Sequence, residues 1–196
     1  MRIILGLGNP GDAYRGTRHN VGFETIDKLS HELGIKLKNN RRFRALAGEG
    51  RMGMTPVLLA KPQTYMNLSG YTAQAVLAYY KLPPSALIVV YDDVSLPVGD
   101  IRVRERGSAG GQKGMVDIIA RLGTDEFPRV RIGIGSKPES WDLADYVLSR
   151  FAKNEIDAIA QAVARAGDAV GFMLKEDTAA AMNEFNRRLQ QHTPKE

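Results

Sequence analysis

The 196-residue chain contains no cysteine, which excludes a disulfide framework, a thiolate metal site and a cysteine nucleophile together. Histidine is nearly as scarce, with only His19, His31 and His192 present. His31-Glu32 opens an HExxH pattern, but position 35 is isoleucine, so no histidine zinc site can be assembled. No apolar run approaches the roughly 18 residues of a membrane span, and the opening MRIILGLGNP breaks at glycine before a signal-peptide core could form. A GxSxG nucleophile elbow is missing as well. These absences point to a soluble, cytoplasmic protein that uses no metal, no cofactor and no membrane partner.

Acidic residues are outnumbered. Twenty-two Asp and Glu stand against 27 Lys and Arg, for a formal charge of +5. The excess is uneven: residues 1–51 hold ten basic and five acidic residues, 102–137 hold eight and four, and the last 59 hold seven and ten. Two basic blocks around a near-neutral remainder suggest a polyanion such as nucleic acid.

The length suits one domain, residues 1–190, followed by a loose tail from 191 to 196. Short Ile/Val-rich runs alternate with amphipathic stretches. Strands are expected at Arg2–Leu7, Arg44–Gly50 paired with Pro56–Leu59, Ala86–Tyr91, Asp100–Arg104 and Arg129–Ile134. Helices are expected at Val21–Leu33, closed by Gly34, at Ser69–Tyr80, stopped by Leu82-Pro83-Pro84, at Gly114–Leu122, and throughout the chain from Trp141. The last of these places Ile156, Ile159, Val163, Val170 and Met173 on one stripe. Strands separated by helices imply an α/β three-layer sandwich whose central sheet is mixed but mainly parallel and flanked by helices.

Two glycine motifs need weighing. Gly6-Leu7-Gly8-Asn9-Pro10-Gly11 matches GxGxxG after a strand, but a dinucleotide fold needs a helix starting inside the glycines and a second strand ending in an acid. Here a polar loop runs to about Asn20 and a helix follows. The Gly107–Gly114 stretch, GSAGGQKG, resembles a phosphate cradle, yet Gln112 stands where a Walker A motif needs glycine before its lysine. Asp92-Asp93 does follow a hydrophobic strand as a Walker B end would.

In parallel sheets, ligands bind where loops leave the carboxyl ends of strands. Four polar segments fall there: GLGNPG, KPQTYMN, YDDVSLP and the glycine-rich loop. With the loop just beyond the first, they carry His19, Asp92, Asp93, Asn9, Asn67 and Lys113. A histidine beside a carboxylate can act as a general base, and asparagine amides can hold a water or donate to a developing oxyanion. Each residue also has a plainer reading: His19 as a helix cap, Asp92 or Asp93 as strand terminators, Asn67 and Ser69 as N-caps, and Asn9 before Pro10 as turn chemistry.

Taken together, GLGNPGDAYRGTRHNVGF, KPQTYMNLSG, DDVSLPVGDIRVR, GSAGGQKG and RVRIGIG resemble the bacterial-type peptidyl-tRNA hydrolases, in the same order and spacing to about residue 190. The resemblance implies an enzyme that cleaves the ester between a peptide's C-terminal carbonyl and the 3′ ribose oxygen of tRNA. It further implies His19 as the catalytic histidine, Asp92 as the aspartate that orients it, Asn67 beside the attacking water and Asn9 lining the peptide-side pocket. Met66 and Tyr14 fall at pocket-lining positions, and Arg104 and Arg131 match a basic pair that clamps a tRNA phosphate. The implied partner is peptidyl-tRNA, held by its acceptor stem and 3′ terminal adenosine, and the implied state is a monomer. One motif departs: members usually read GGHNG where this chain reads Gly110-Gly111-Gln112-Lys113-Gly114. Lys113 cannot accept hydrogen bonds as Asn can, and it is expected to pair with a carboxylate or phosphate instead. The altered loop keeps open a non-catalytic RNA-binding relative of the same fold, and Asp92 with Asp93 keeps open a metal-dependent phosphohydrolase.

Overall fold

The computed structural model describes residues 1–187. In chain order its elements are β1 (Arg2–Gly6), α1 (Val21–Glu32), β2 (Lys38–Asn40), β3 (Ala45–Met52), β4 (Thr55–Pro62), α2 (Ser69–Tyr80), β5 (Leu87–Asp93), β6 (Ile101–Arg104), α3 (Lys113–Leu122), β7 (Arg129–Gly133), α4 (Leu143–Leu148), α5 (Ile156–Lys175) and α6 (Thr178–Phe185). The seven strands form one sheet in the order β2-β3-β4-β1-β5-β7-β6. Strands β4, β1, β5 and β7 run parallel, whereas β2–β3, β3–β4 and β6–β7 pair antiparallel. The expected mixed, mainly parallel sandwich is therefore the fold.

The central strands are apolar at nearly every position because both faces are covered. Strand alternation sends Ile3, Leu5, Leu58 and Val89 toward Ala73, Val76, Met115 and Ile118 of α2 and α3. It sends Ile4, Leu59, Val90 and Val130 toward Ile26, Leu29, Val163 and Val170 of α1 and α5. Helix α1 comes unusually close to the sheet. A Cβ on Gly22 would fall 2.4 Å from the Val90 carbonyl oxygen and 2.5 Å from the Leu7 nitrogen, and one on Gly6 would fall 2.2 Å from the Gly22 oxygen. Backbone thus packs on backbone, and the residues just before α1 are carried over the carboxyl ends of β1 and β5. The chain leaves β1 toward β4 on one side and β5 on the other, the topology that opens a crevice at strand ends.

Three expectations are corrected. Among the described residues, the chain beyond Trp141 forms three α-helices, not one run. It breaks after α4 because Ser149 turns extended and Arg150 forms an antiparallel bridge with Thr17. It breaks again at Asp177, whose side chain accepts from the Ala180 amide at 2.7 Å and caps α6. Ile156 does not join the buried stripe: it opens α5 and is 51% exposed, while Ile159, Val163, Val170 and Met173 are buried. The edge strand β2, Lys38-Asn39-Asn40, lacks the apolar alternation that would announce it. The proposed tail at 191–196 lies outside the described residues. Among the described residues, no helix is long and apolar enough to cross a membrane.

Candidate active site

A cavity of about 420 Å³ opens at the carboxyl ends of the parallel strands, lined among others by Asn9, His19, Met66, Asn67, Asp92 and Lys113. Residues far apart in the sequence meet here because β1, β4 and β5 are neighbours and each ends at the same edge.

His19 sits in a short 3-10 turn, Arg18–Asn20, immediately before α1. Its Nδ1 lies 2.8 Å from Asp92 Oδ2, and both side chains are buried. An ionised carboxylate only accepts, so Nδ1 carries the proton and Nε2 is left with a lone pair. Since His19 lines the cavity, that lone pair is the basic group the dyad can offer a reactant. The second Asp92 oxygen, Oδ1, accepts from Gln112 Nε2 at 3.0 Å.

Asn9 is held from three sides. Its amide nitrogen donates to Asn20 Oδ1 at 2.9 Å, its carbonyl accepts from Asn20 Nδ2 at 3.0 Å, and its own Oδ1 accepts from the Met66 amide at 2.7 Å. With Oδ1 so engaged, Nδ2 is the polar group that Asn9 can turn to the cavity. Asn20 was not singled out by sequence reasoning; a polar residue flanking His19 is its only signal. Asn67 is exposed on the cavity wall. Neither it nor Ser69 caps α2. Ser69 Oγ donates back to the Met66 carbonyl at 2.7 Å, and the first free amide of α2 that finds a side chain is Gly70, which donates to Asp117 Oδ2 of α3 at 2.8 Å.

Tyr14 lies outside this wall. It belongs to the short turn Asp12–Tyr14, and its carbonyl accepts from Thr17 Oγ1 at 2.8 Å, so its place here is in holding the loop before His19. Lys113 opens α3 at the cavity rim, exposed, and among the described residues it forms no ion pair. The carboxylate partner expected for it is therefore not found there.

Asp92 and Asp93 are successive strand residues and point to opposite faces of the sheet. Asp93 is bonded to Arg131 Nε, while its Oδ1 accepts from the Ser95 amide at 2.8 Å and from Ser95 Oγ at 2.6 Å. The two carboxylates thus do not form a shared ligand pair, which removes the basis of a phosphohydrolase built on both.

The register of β6 and β7 sets Arg102 opposite Arg131 and Arg104 opposite Arg129, so all four guanidinium groups project from the same face. Arg129 is buried, with Nη2 donating to the Asp125 carbonyl at 2.6 Å. Arg102, Arg104 and Arg131 are half-buried on this sheet edge. Burial, and then the nearby charges of Arg102 and Arg131, push the Arg104 pKa down, as expected of a partly desolvated cation beside like charges. Arg102 was missed, although the alternation in IRVR places it beside Arg104.

The far wall is apolar, formed by Leu143, Ala144, Val147 and Leu148 of α4. Arg18 fastens this helix. Its backbone amide donates to the Ser149 carbonyl at 2.9 Å. Its guanidinium donates to the Ile134 carbonyl at 2.9 Å and to both Glu155 oxygens at 3.2 and 2.6 Å, and it lies 4.6 Å from the ring centres of Tyr146 and Phe151. Burial alone would raise the Glu155 pKa, but hydrogen bonds from Arg18 and the Ala152 amide, with the Arg18 charge, hold it below the usual range.

A family model described as peptidyl-tRNA hydrolase matches residues 3–194. The chain is 50% identical over 186 residues to a peptidyl-tRNA hydrolase of Alkaliphilus oremlandii, covering 95% of this chain and 100% of that one. It is 48% identical over 188 residues to one from Lachnoclostridium phytofermentans, covering 96% and 98%. The crystal structure of peptidyl-tRNA hydrolase from Acinetobacter baumannii superposes with a TM-score of 0.90 at 34% identity, covering 95% of this chain and 94% of that one.

Proposed function

The chain belongs to the peptidyl-tRNA hydrolase family, and on that premise we propose that His19, held by Asp92, is the general base through which it hydrolyses peptidyl-tRNA. The observation that carries this reading is the 2.8 Å contact between His19 Nδ1 and Asp92 Oδ2, which leaves Nε2 to the cavity. Nε2 takes a proton from a water beside Asn67. The water oxygen attacks the ester carbonyl, and negative charge develops on the carbonyl oxygen, where the Asn9 amide can donate to it. The carbon–oxygen bond to the ribose then breaks, and the proton on His19 passes to the departing 3′ oxygen. A peptide acid and a tRNA with a free 3′ hydroxyl result. Asp92 stabilises the imidazolium formed in between.

The apolar α4 wall suits a peptide and disfavours a charged α-ammonium group, whose burial is costly. An N-acetylaminoacyl-tRNA is therefore expected to lose its ester while the free aminoacyl-tRNA is spared. Equal hydrolysis of both, or of neither, would overturn the reading. The feature that favoured a non-catalytic RNA-binding relative was the altered loop, yet there Gln112 supports the dyad through Asp92. A substrate made in translation supports a cytoplasmic location for the protein.

The acceptor stem is A-form RNA, which proteins hold by phosphates and shape. We assign its phosphates to Arg104 and Arg131, joined by Arg102, and the anion nearest the terminal adenosine to Lys113. A lysine at the start of a helix opposes the helix dipole, and an anion there relieves it. Arg104 is the cleaner test, since Arg131 also neutralises Asp93. Arg104→Ala should raise KM with kcat little changed and lower the slope of log KM against log salt by about one duplex contact's worth, ~0.9. A slope equal to the parent's would take Arg104 out of the interface.

A further inference from the structure

From the hydrogen bonding at the start of α3, we infer that Gln112 is a positioning residue for the reaction, locking the Asp92 carboxylate plane and so the direction of the His19 ring. The inference rests on the general-base reading above. A carboxylate turns easily about its last side-chain torsion, which is broad and two-fold. Held by His19 alone, Asp92 could swing and carry the imidazole with it. Here each oxygen has its own donor: Oδ2 faces His19 Nδ1 at 2.8 Å and Oδ1 accepts from Gln112 Nε2 at 3.0 Å. Two donors from opposite ends define a plane.

Gln112 itself has no freedom to flip. Its Oε1 accepts from the Met115 amide at 2.8 Å, making it the N-cap of α3, so Nε2 must face Asp92. The remaining Nε2 hydrogen points to Met66 Sδ at 3.2 Å. Both Nε2 hydrogens and one lone pair of Oε1 are thereby used. Gly114 leaves the room this requires, since a Cβ there would fall 2.7 Å from Met66 Sδ and 3.0 Å from Gln112 Oε1. The Gln112 amide also donates to the Ala109 carbonyl at 3.0 Å, so one residue connects the glycine-rich loop, the helix start and the dyad. An amide donates at any pH, so this support does not titrate.

Cap and donor can be separated. Gln112→Ser retains a good N-cap but cannot reach Asp92; Gln112→Met keeps length and volume and loses both bonds. With N-acetylaminoacyl-tRNA as substrate and His19→Ala as reference, Gln112→Ser is expected to keep the parent KM and the capped helix, losing only the stability of the one bond to Asp92, while kcat falls about ten- to a hundredfold, the worth of a hydrogen bond to a charged group. Gln112→Met should lose the same kcat and melt several degrees lower. Parent kcat in Gln112→Ser, with His19→Ala inactive, would overturn the positioning role and leave the general base intact. Parent kcat in both would overturn the base itself. A raised KM at unchanged kcat would make Gln112 a binding group and equally overturn the inference.

Discussion

Replacing His19 by alanine is expected to lower kcat on N-acetylaminoacyl-tRNA by about 10²- to 10⁴-fold, the usual worth of a positioned general base. KM should change little, because the phosphate contact proposed for Arg104 and the apolar α4 wall remain. The substitution also leaves the buried Asp92 carboxylate with Gln112 as its remaining side-chain donor, so some stability will be lost and must be measured alongside. Asp92→Asn supplies the control of similar volume. Its amide can donate to Nδ1, which moves the imidazole proton to Nε2 and removes the lone pair facing the cavity. Its kcat should fall by a similar order with the fold retained. Single-turnover kinetics at saturating enzyme separates chemistry from binding. Near-parental chemistry in either variant would take the dyad out of the mechanism.

What the sequence made legible follows from how local each signal is. The strands β1, β4 and β5 are short apolar runs between turn residues, and α2 lies at Ser69–Tyr80 as the Leu82-Pro83-Pro84 break implies. The strand-end rule gathered His19, Asp92, Asn9, Asn67 and Lys113, all of which line one cavity. Pairing His19 with Asp92 across 73 residues was beyond periodicity; the family resemblance supplied it. Two features stayed hidden because their meaning depends on distant partners. Gln112 reads as a departure from a motif until Asp92 is seen beside it. Nothing between Trp141 and Gly167 is a proline or glycine, so the break after α4 has no local cause. It comes from Thr17 and Arg18, which bind Arg150 and Ser149 from more than 130 residues away.

Arg18→Ala is expected to destabilise the fold by about 3 kcal/mol at neutral pH, toward the low end for removing one partner of a buried ion pair, since Glu155 keeps some contact with water. The guanidinium fills the space between Tyr146 and Phe151, so its loss leaves a gap as well as a stranded carboxylate. The sign of the pH dependence follows from Glu155. Its pKa in the folded protein lies below the usual value, so the stability it contributes is full above the unfolded pKa of about 4.3 and is lost as pH falls through the lower folded value. In Arg18→Ala that contribution is gone, and burial, the largest remaining influence, pushes Glu155 the other way. The gap between parent and variant in urea melts should therefore narrow as pH drops below about 4. An unchanged gap would assign the effect to lost packing. Activity should report the same damage: with α4 unfastened, the wall formed by Leu143, Val147 and Leu148 no longer meets the peptide in one position. KM for the blocked substrate should then rise, while Arg104→Ala raises it only through salt-sensitive contacts.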